Sequence, residues 1–133
     1  MYLLDTCVLS EARRKSPAVA TWIASVRSAD LFVSAMTIGE LARGVDLKLR
    51  SDPRGGAPLA LWLDQIRDQY RDRILPVDDA VAMRWGALMA VRPRPIADGL
   101  IAATAYVFGK SLVTRNVADF ADAGVQIINP WAL

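Results

Sequence analysis

The chain has 133 residues, of which 53% are hydrophobic and 23% charged, and this balance predicts one globular domain over residues 1–133 and excludes a disordered chain. It has 16 Lys and Arg residues and 14 Asp and Glu residues, which gives a net charge of only +2. It contains no His, which excludes Ser-His-Asp triads and His-ligated zinc sites. It contains no run of 18 apolar residues, so the sequence predicts no transmembrane helix.

The predicted elements alternate between strands and helices. Short apolar runs predict strands at Tyr2–Leu4 and at residues 31–33, 74–77, 112–113 and 126–128. Helical patterns lie between them at residues 8–14, 18–27, 37–50, 59–71, 80–90 and 99–108. The segments DPRGG at 52–56 and RPRP at 92–95 predict loops. This order predicts an α/β fold, with a central parallel sheet of about five strands flanked by helices on both faces.

The first segment, MYLLDTCVLS, is apolar but does not resemble a signal peptide, because it lacks a basic start and contains Asp5. Cys7 is the only cysteine, so no disulfide can form within the chain. A reducing compartment suits such a chain, and we expect it in the cytoplasm.

The helix predicted at 99–108 is apolar all round except for Thr104 and the phenol of Tyr106, which is typical of a buried helix. Asp98 stands directly before it. An Asp at this point ordinarily caps the helix, because its side chain accepts a free backbone N–H. A second role for Asp98 depends on which other side chains lie near it.

Polar residues stand at or just after the carboxyl ends of the predicted strands and at the entrance to the buried helix. They are Asp5, Ser34, Glu40, Asp98, Thr114, Arg115, Asn116 and Asp119. Ligands of parallel α/β folds bind at this edge of the sheet. We therefore expect four carboxylates to converge there, those of Asp5, Glu40, Asp98 and Asp119.

Such a cluster has a definite chemistry. Close carboxylates repel one another, so keeping them all ionised requires a cation, and oxygen ligands without His or Cys select Mg²⁺ or Mn²⁺. These ions neutralise phosphate oxygens and activate water for attack on phosphorus. With four acids set aside from the 14, the other 10 face 16 basic residues, 13 of them Arg, so the remaining surface favours a polyanion.

Each carboxylate also has an ordinary explanation. Asp5 could end a strand in a turn, Glu40 could be a solvated helix residue, and Asp98 could only cap a helix. Asp119 fits the third position of a short helix capped by Asn116. The basic run at residues 13–15 is also typical of a helix C-terminus. Cys7 is a poor candidate for a nucleophile, because no His is present to activate it.

Four motifs in this order resemble one known family. LLDTCVLSE at 3–11, TIGELARG at 37–44, DGLIAATA at 98–105 and LVTRNVADF at 112–120 resemble the PIN-domain ribonucleases. Within these, the chain is most similar to the toxin half of VapBC toxin–antitoxin pairs, in the FitB-like branch, which INPW at 128–131 also fits. The resemblance covers essentially the whole chain.

The resemblance implies a metal-dependent endoribonuclease in which water activated by Mg²⁺ or Mn²⁺ cleaves RNA. It places the catalytic quartet on Asp5, Glu40, Asp98 and Asp119. Asp5 and Asp98 are the expected metal ligands, with Glu40 and Asp119 binding directly or through water. The expected supporting residues are Thr6, Thr114 and Asn116, and the candidates for RNA phosphate contacts are Arg13, Arg14, Arg43 and Arg115.

The resemblance also implies partners. These are a second copy of the chain in a homodimer and a cognate VapB-like antitoxin whose tail blocks the site, with operator DNA bound only through the antitoxin. A groove between the helices at 37–50 and 59–71 is the expected docking surface. Two departures from the family stand out: Cys7 occupies a position where Asn is usual, and the RPRPIA connection before Asp98 is short.

Two other functions remain open at this level. A haloacid-dehalogenase-type phosphatase also begins from an Asp after its first strand, but it requires a second Asp at the position of Cys7 and a Lys late in the chain. Lys110 lies on the wrong side of the fourth strand for that role. The second alternative is a non-catalytic PIN-like module that serves dimerisation or partner binding.

Overall fold

Five parallel strands form one sheet in the computed structural model, which describes all 133 residues. The strands are β1 (Tyr2–Leu4), β2 (Leu31–Ser34), β3 (Ile74–Leu75), β4 (Ser111–Val113) and β5 (Ile127–Ile128). Their order in the sheet is β3-β2-β1-β4-β5, so β1 lies at the centre, with Leu3 opposite Phe32 on one side and Leu112 on the other. The predicted α/β fold with a parallel sheet is confirmed.

Seven α-helices connect the strands. They are α1 (Thr6–Arg13), α2 (Pro17–Ala24), α3 (Ala35–Ser51), α4 (Pro53–Gln69), α5 (Asp79–Val91), α6 (Ile96–Val107) and α7 (Val117–Phe120), with short 3₁₀ turns at Ser28–Asp30 and Pro130–Ala132. No helix combines the length and the apolar composition that crossing a membrane requires.

The helices form two layers because neighbouring strand residues point to opposite faces of the sheet. Leu4 faces α1 to α4 and belongs to a core cluster with Val8, Trp22 and Leu63. Leu3 faces the other layer, where α5 and α6 supply most of the core, and all three of Ala102, Ala103 and Ala105 are buried. The apolar helix near the end of the chain is therefore a core helix, as the sequence predicts.

The DPRGG segment is helical, which corrects the loop prediction. Helix α4 begins at Pro53, in the first helical position, and Asp52 caps it by accepting a hydrogen bond from the backbone N of Gly55 at 3.1 Å. A methyl group on Gly56 would lie 2.9 Å from the backbone of Leu49. The glycine thus allows α4 to turn back closely against α3.

Helix α6 begins at Ile96 with Pro95 at its N-cap, so Asp98 lies in the first turn and forms no capping hydrogen bond. The prediction that Asp98 caps this helix is wrong. Proline fixes the backbone angle that a helix start requires, so the helix begins three residues earlier than the apolar pattern indicates. The carboxylate of Asp98 is therefore free for another partner.

Candidate active site

The central carboxylate is that of Asp5, which follows β1 and is 4% exposed. Its Oδ1 accepts a hydrogen bond from the backbone N of Thr6 at 2.8 Å, so Asp5 caps α1. Its Oδ2 accepts the hydroxyl proton of Thr114 at 2.8 Å. Both oxygens are held by fixed donors, so this buried carboxylate has one orientation.

Glu40 lies on α3 and reaches toward α1. Its Oε1 accepts a hydrogen bond from the hydroxyl of Thr6 at 2.6 Å, and the hydroxyl of buried Thr37 lies 3.1 Å from that of Thr6. Thr6 thus touches Asp5 through its backbone and Glu40 through its side chain. Buried Thr37 belongs to the same hydrogen-bonded network.

Thr114 and Asn116 follow β4, which pairs with β1. Thr114 is fully buried, and its hydroxyl donates to Asp5 while accepting the backbone N–H of Asn116 at 3.0 Å. Asn116 stands at the N-cap of α7, but its side chain makes no capping hydrogen bond. Asn116 therefore contributes to this network through its backbone N–H, which donates to Thr114, and not through its side chain.

The surroundings of Asp98 raise the pKa of its carboxyl. Burial raises the pKa of its carboxyl to about 6 from an ordinary 3.8, and the negative charges of Asp5, Glu40 and Asp119 add to that effect, while Arg94 opposes it. All three carboxylates act on Asp98, so the four lie close enough to interact through space. The four predicted carboxylates thus lie in one neighbourhood, where hydrogen bonds join only Asp5 and Glu40, through Thr6.

Asp119 lies in α7, where its side chain is exposed and forms no hydrogen bond. No group of three or more Asp, Glu and Cys side chains is arranged so that it could hold a metal ion. The donor set nevertheless fits Mg²⁺ or Mn²⁺, because it consists of carboxylate oxygens, which these hard cations prefer.

Cys7 packs beside the centre of the site without the character of a nucleophile. Its Sγ lies 3.5 Å from Oδ2 of Asp5, to which the thiol donates, and 4.0 Å from the hydroxyl of Thr114. Burial, with the charge of Asp5 as a second cause, raises the pKa of the thiol to about 11. A protonated thiol is a weak nucleophile, so the chemistry of the site rests on the carboxylates.

A cavity of about 280 Å³ opens directly beside Thr6 and Glu40. Arg13 and Arg14 line it from α1, and Trp62 lines it from α4, with the Arg13 guanidinium 5.8 Å from the centre of the indole ring. Helices α3 and α4 pack against each other. This cavity therefore lies between α1 and the α3–α4 pair, whereas the docking groove predicted from the sequence lies between α3 and α4.

The other two predicted arginines are placed differently. Arg43 is exposed on α3 and forms no ion pair, whereas the guanidinium of Arg115 lies 4.8 Å from the ring centre of Trp131. Lys110 lies directly before β4, at the amino ends of the strands, whereas Asp5 lies at their carboxyl ends. The Nζ of Lys110 lies 4.3 Å from the centre of the Phe32 ring. A late lysine therefore does not reach the carboxylates, which argues against the phosphatase alternative.

Sequence reasoning missed two groups at this site. Thr37 gives no separate signal, because a single hydroxyl in a helix is commonplace. Arg92 and Arg94 were part of a segment interpreted only as a loop, yet both bind Asp122. An arginine between two prolines is a sequence feature that could have drawn attention to Arg94, whose side chain is only 2% exposed in the structure.

Comparison with known proteins identifies the family. The PIN domain family model matches residues 2–125. The chain is 36% identical to the toxin FitB of Neisseria gonorrhoeae, covering 98% of this chain and 99% of that protein. It is 34% identical to the VapC ribonuclease Y4jK of Sinorhizobium fredii, covering 98% of each. The solved structure of FitAB bound to an IR36 DNA fragment superposes with a TM-score of 0.87 at 35% identity, covering 100% of this chain and 97% of that one.

The chain belongs to the PIN-domain family, within the FitB-like branch of VapC-type toxins. The match extends over nearly the whole chain and includes the three segments that carry the carboxylates of Asp5, Glu40 and Asp98, as well as α7 with Asp119.

Proposed function

We propose that this PIN-domain protein is the ribonuclease toxin of a toxin–antitoxin pair, and that it hydrolyses RNA phosphodiester bonds at the site formed by Asp5, Glu40, Asp98 and Asp119. The observation that carries the proposal is the hydrogen-bonded network at the carboxyl edge of the parallel sheet, in which Thr6 joins Asp5 to Glu40 and Thr114 holds Asp5, with Asp98 and Asp119 nearby. A relative of similar length is named a VapC ribonuclease, which supports RNA as the substrate.

The carboxylates would hold Mg²⁺ or Mn²⁺, with Asp5 and Asp98 as direct ligands and Glu40 and Asp119 binding directly or through water. When bound, such a cation neutralises phosphate oxygens and lowers the pKa of water. The protein's own contribution is rigidity: Thr114 and the backbone of Thr6 hold Asp5, and the hydroxyl of Thr6 holds Glu40. Fixed carboxylates need no rearrangement during the reaction.

The cavity beside Thr6 supports a path for the RNA strand. Arg13 and Arg14 line this cavity with exposed guanidinium groups that suit phosphate, although Arg14 is ion-paired with Glu11 at 3.2 Å. Trp62 beside Arg13 offers an indole ring for stacking with a base. Arg43 and Arg115 are exposed and form no ion pairs, so we propose them as outer phosphate contacts.

Two protein partners belong to the proposal. A VapB-like antitoxin would cover the cavity between α1 and the α3–α4 pair, and would carry any operator DNA binding, since a similar chain is solved as FitAB bound to DNA. A second copy would pack on α5 and the start of α6, where Met83, Val91 and Ile96 are each more than 60% exposed. An RNA substrate and a single reduced thiol agree with action in the cytoplasm.

The experiment that tests the proposal is RNA cleavage by the purified chain with EDTA, and then with Mg²⁺ or Mn²⁺ added back. Asp98→Asn keeps the size of the side chain but removes its charge. Asp64→Asn is the matched control, because Asp64 is an exposed carboxylate on α4 that forms no ion pair. We expect metal-restored cleavage by the wild type and by Asp64→Asn, with a loss of at least about 100-fold for Asp98→Asn.

Equal cleavage by folded Asp98→Asn would contradict the proposed site. Hydrolysis of small phosphoesters without RNA cleavage would favour a phosphatase instead. Retention of growth inhibition in cells by Asp98→Asn would favour the non-catalytic binding module.

A further inference from the structure

Two arginines from the connection between α5 and α6 converge on one carboxylate. Arg92 donates from Nε to Oδ2 of Asp122 at 2.8 Å and from Nη2 to Oδ1 at 3.2 Å. Arg94 donates from Nη1 to Oδ1 at 3.1 Å and from Nη2 to Oδ2 at 3.0 Å. Asp122 therefore binds two guanidinium forks at once, and their hydrogen bonds hold the pKa of its carboxyl well below the usual range.

This cluster joins the two chain segments that carry the last two carboxylates of the site. Arg92 and Arg94 lie immediately before α6, whose first turn contains Asp98. Asp122 follows α7, which contains Asp119. Arg92 also donates from Nη2 to the backbone carbonyl of Asp119 at 2.8 Å. One guanidinium thus binds the carboxylate of Asp122 and the backbone of Asp119 together.

The Asp119 segment is held through its backbone, whose carbonyl accepts from Arg92 and whose N–H donates to the carbonyl of Asn116 at 3.1 Å. The side chain of Asp119 makes no hydrogen bond, and α7 is only four residues long with Phe120 as its one buried residue. Hydroxyl or amide donors hold Asp5 and Glu40, whereas no donor holds the carboxylate of Asp119, so its location depends on where its backbone is placed.

We propose that Arg92 is a positioning residue for metal binding, which holds the Asp119 segment against the Asp98 segment so that both carboxylates face one cation. The inference rests on the proposed function, since it takes Asp98 and Asp119 as ligands. Arg94, with its side chain 2% exposed, anchors Asp122 from the core, while Arg92 is the member of the pair that reaches Asp119.

The sign of the effect on metal affinity separates this role from two simpler ones. If Arg92 acted only as a nearby positive charge, its removal would strengthen the binding of a cation. If it only stabilised a loop, its removal would lower the melting temperature and leave the affinity unchanged. A positioning role predicts weaker binding, because a misplaced ligand loses its geometry.

The test is calorimetric titration of the purified full chain with Mn²⁺, together with thermal melting in EDTA. Arg92→Ala is expected to fold, because this side chain is 40% exposed, and to weaken Mn²⁺ binding about tenfold. Arg92→Lys keeps the charge but replaces the planar guanidinium fork with a single ammonium group, so it should recover only part of the affinity.

Two controls match this substitution. Arg84 lies on α5 and donates to the carbonyl of Ala123, the residue after Asp122, at 3.1 Å. Arg84→Ala therefore removes a contact between α5 and the segment after α7 without removing any contact to Asp119. Arg71→Ala removes an exposed ion pair with Asp68. This pair lies before β3, the outer strand on the other side of the sheet from β5. Both should bind Mn²⁺ within about twofold of the wild type.

Unchanged or tighter Mn²⁺ binding by Arg92→Ala overturns the inference while leaving the proposed function in place. An equal loss of affinity in Arg84→Ala also overturns it, because general loosening of the loop would then suffice. If the wild type binds no Mn²⁺, both the metal-dependent function and this inference fail.

Discussion

The hydroxyl of Thr114 donates to Oδ2 of Asp5 at 2.8 Å, across 109 positions of the chain. Both groups are buried, with Thr114 fully inaccessible and Asp5 4% exposed. Adjacent parallel strands β1 and β4 bring them together, because each residue directly follows its strand. The carboxylate at the centre of the site is therefore aligned by the core of the sheet.

Thr114→Val should damage the site while preserving its shape. The substitution leaves Oδ2 of Asp5 with only the weak donor Sγ of Cys7, at 3.5 Å. We expect RNA cleavage to fall about tenfold or more, and the free energy of unfolding to fall by about 1–3 kcal/mol. Single-turnover cleavage and urea unfolding measure the two effects.

Thr104→Val is the matched control for that experiment. Thr104 is equally buried, but its hydroxyl donates to the carbonyl of Leu100 within α6 at 2.7 Å and touches no carboxylate. Cleavage should be unchanged in this variant, and Thr114→Ser should restore most of the activity. Similar losses in both valine variants would mean that the hydroxyl of Thr114 has no specific role.

The stability of the metal-free protein should depend on pH through Asp98. Its pKa is about 6 in the folded state against an ordinary 3.8, so the folded state binds a proton more tightly than the unfolded state between these values. The free energy of unfolding then falls as the pH rises through this window. Above it, the ionised Asp98 carboxylate destabilises the folded protein.

Asp98→Asn should remove this dependence. In EDTA near pH 7 the variant should be more stable than the wild type by about 1 kcal/mol after solvent screening, or roughly 3 °C in melting temperature. Near pH 4 the two proteins should melt together. Melting curves recorded across this range decide the point, and a difference that does not vary with pH would contradict it.

Cys7 should be dispensable for the reaction. Because its pKa is raised to about 11, the thiol remains protonated at neutral pH. Cys7→Ala is therefore expected to cleave RNA within about threefold of the wild type, and iodoacetamide should modify the folded protein slowly. Rapid inactivation by iodoacetamide, accompanied by an inactive but folded Cys7→Ala, would indicate thiol chemistry instead.

Gly56→Ala should destabilise the fold, because its new methyl group would lie 2.9 Å from the backbone of Leu49. The expected cost is about 1–3 kcal/mol, as for other overpacked sites. Gly44→Ala is the control, since a methyl group there would meet nothing within 4 Å and alanine favours the helix. Chemical denaturation of both variants measures the difference, which should have opposite signs.

The predictions from sequence succeeded where pattern and local chemistry agreed. Apolar runs and helical periods located the five strands and six of the helices, and the order of these elements indicated the parallel sheet. They failed at DPRGG, where two glycines were interpreted as a loop although Asp52 and Pro53 begin a helix. Glycine serves a close helix contact here, and only the packing of α4 against α3 reveals it.

The amino-acid sequence by itself determined the kinds of groups available: carboxylates, hydroxyls and arginines, with no histidine. It also placed Asp5 and Thr114 after strands, where parallel α/β folds bind ligands. Tertiary structure decided which of these groups interact. The pairing of Arg92 and Arg94 with Asp122 and the bond from Thr6 to Glu40 join residues about 30 positions apart. No local pattern encodes such contacts, because they depend on how separate helices and loops pack over one sheet edge.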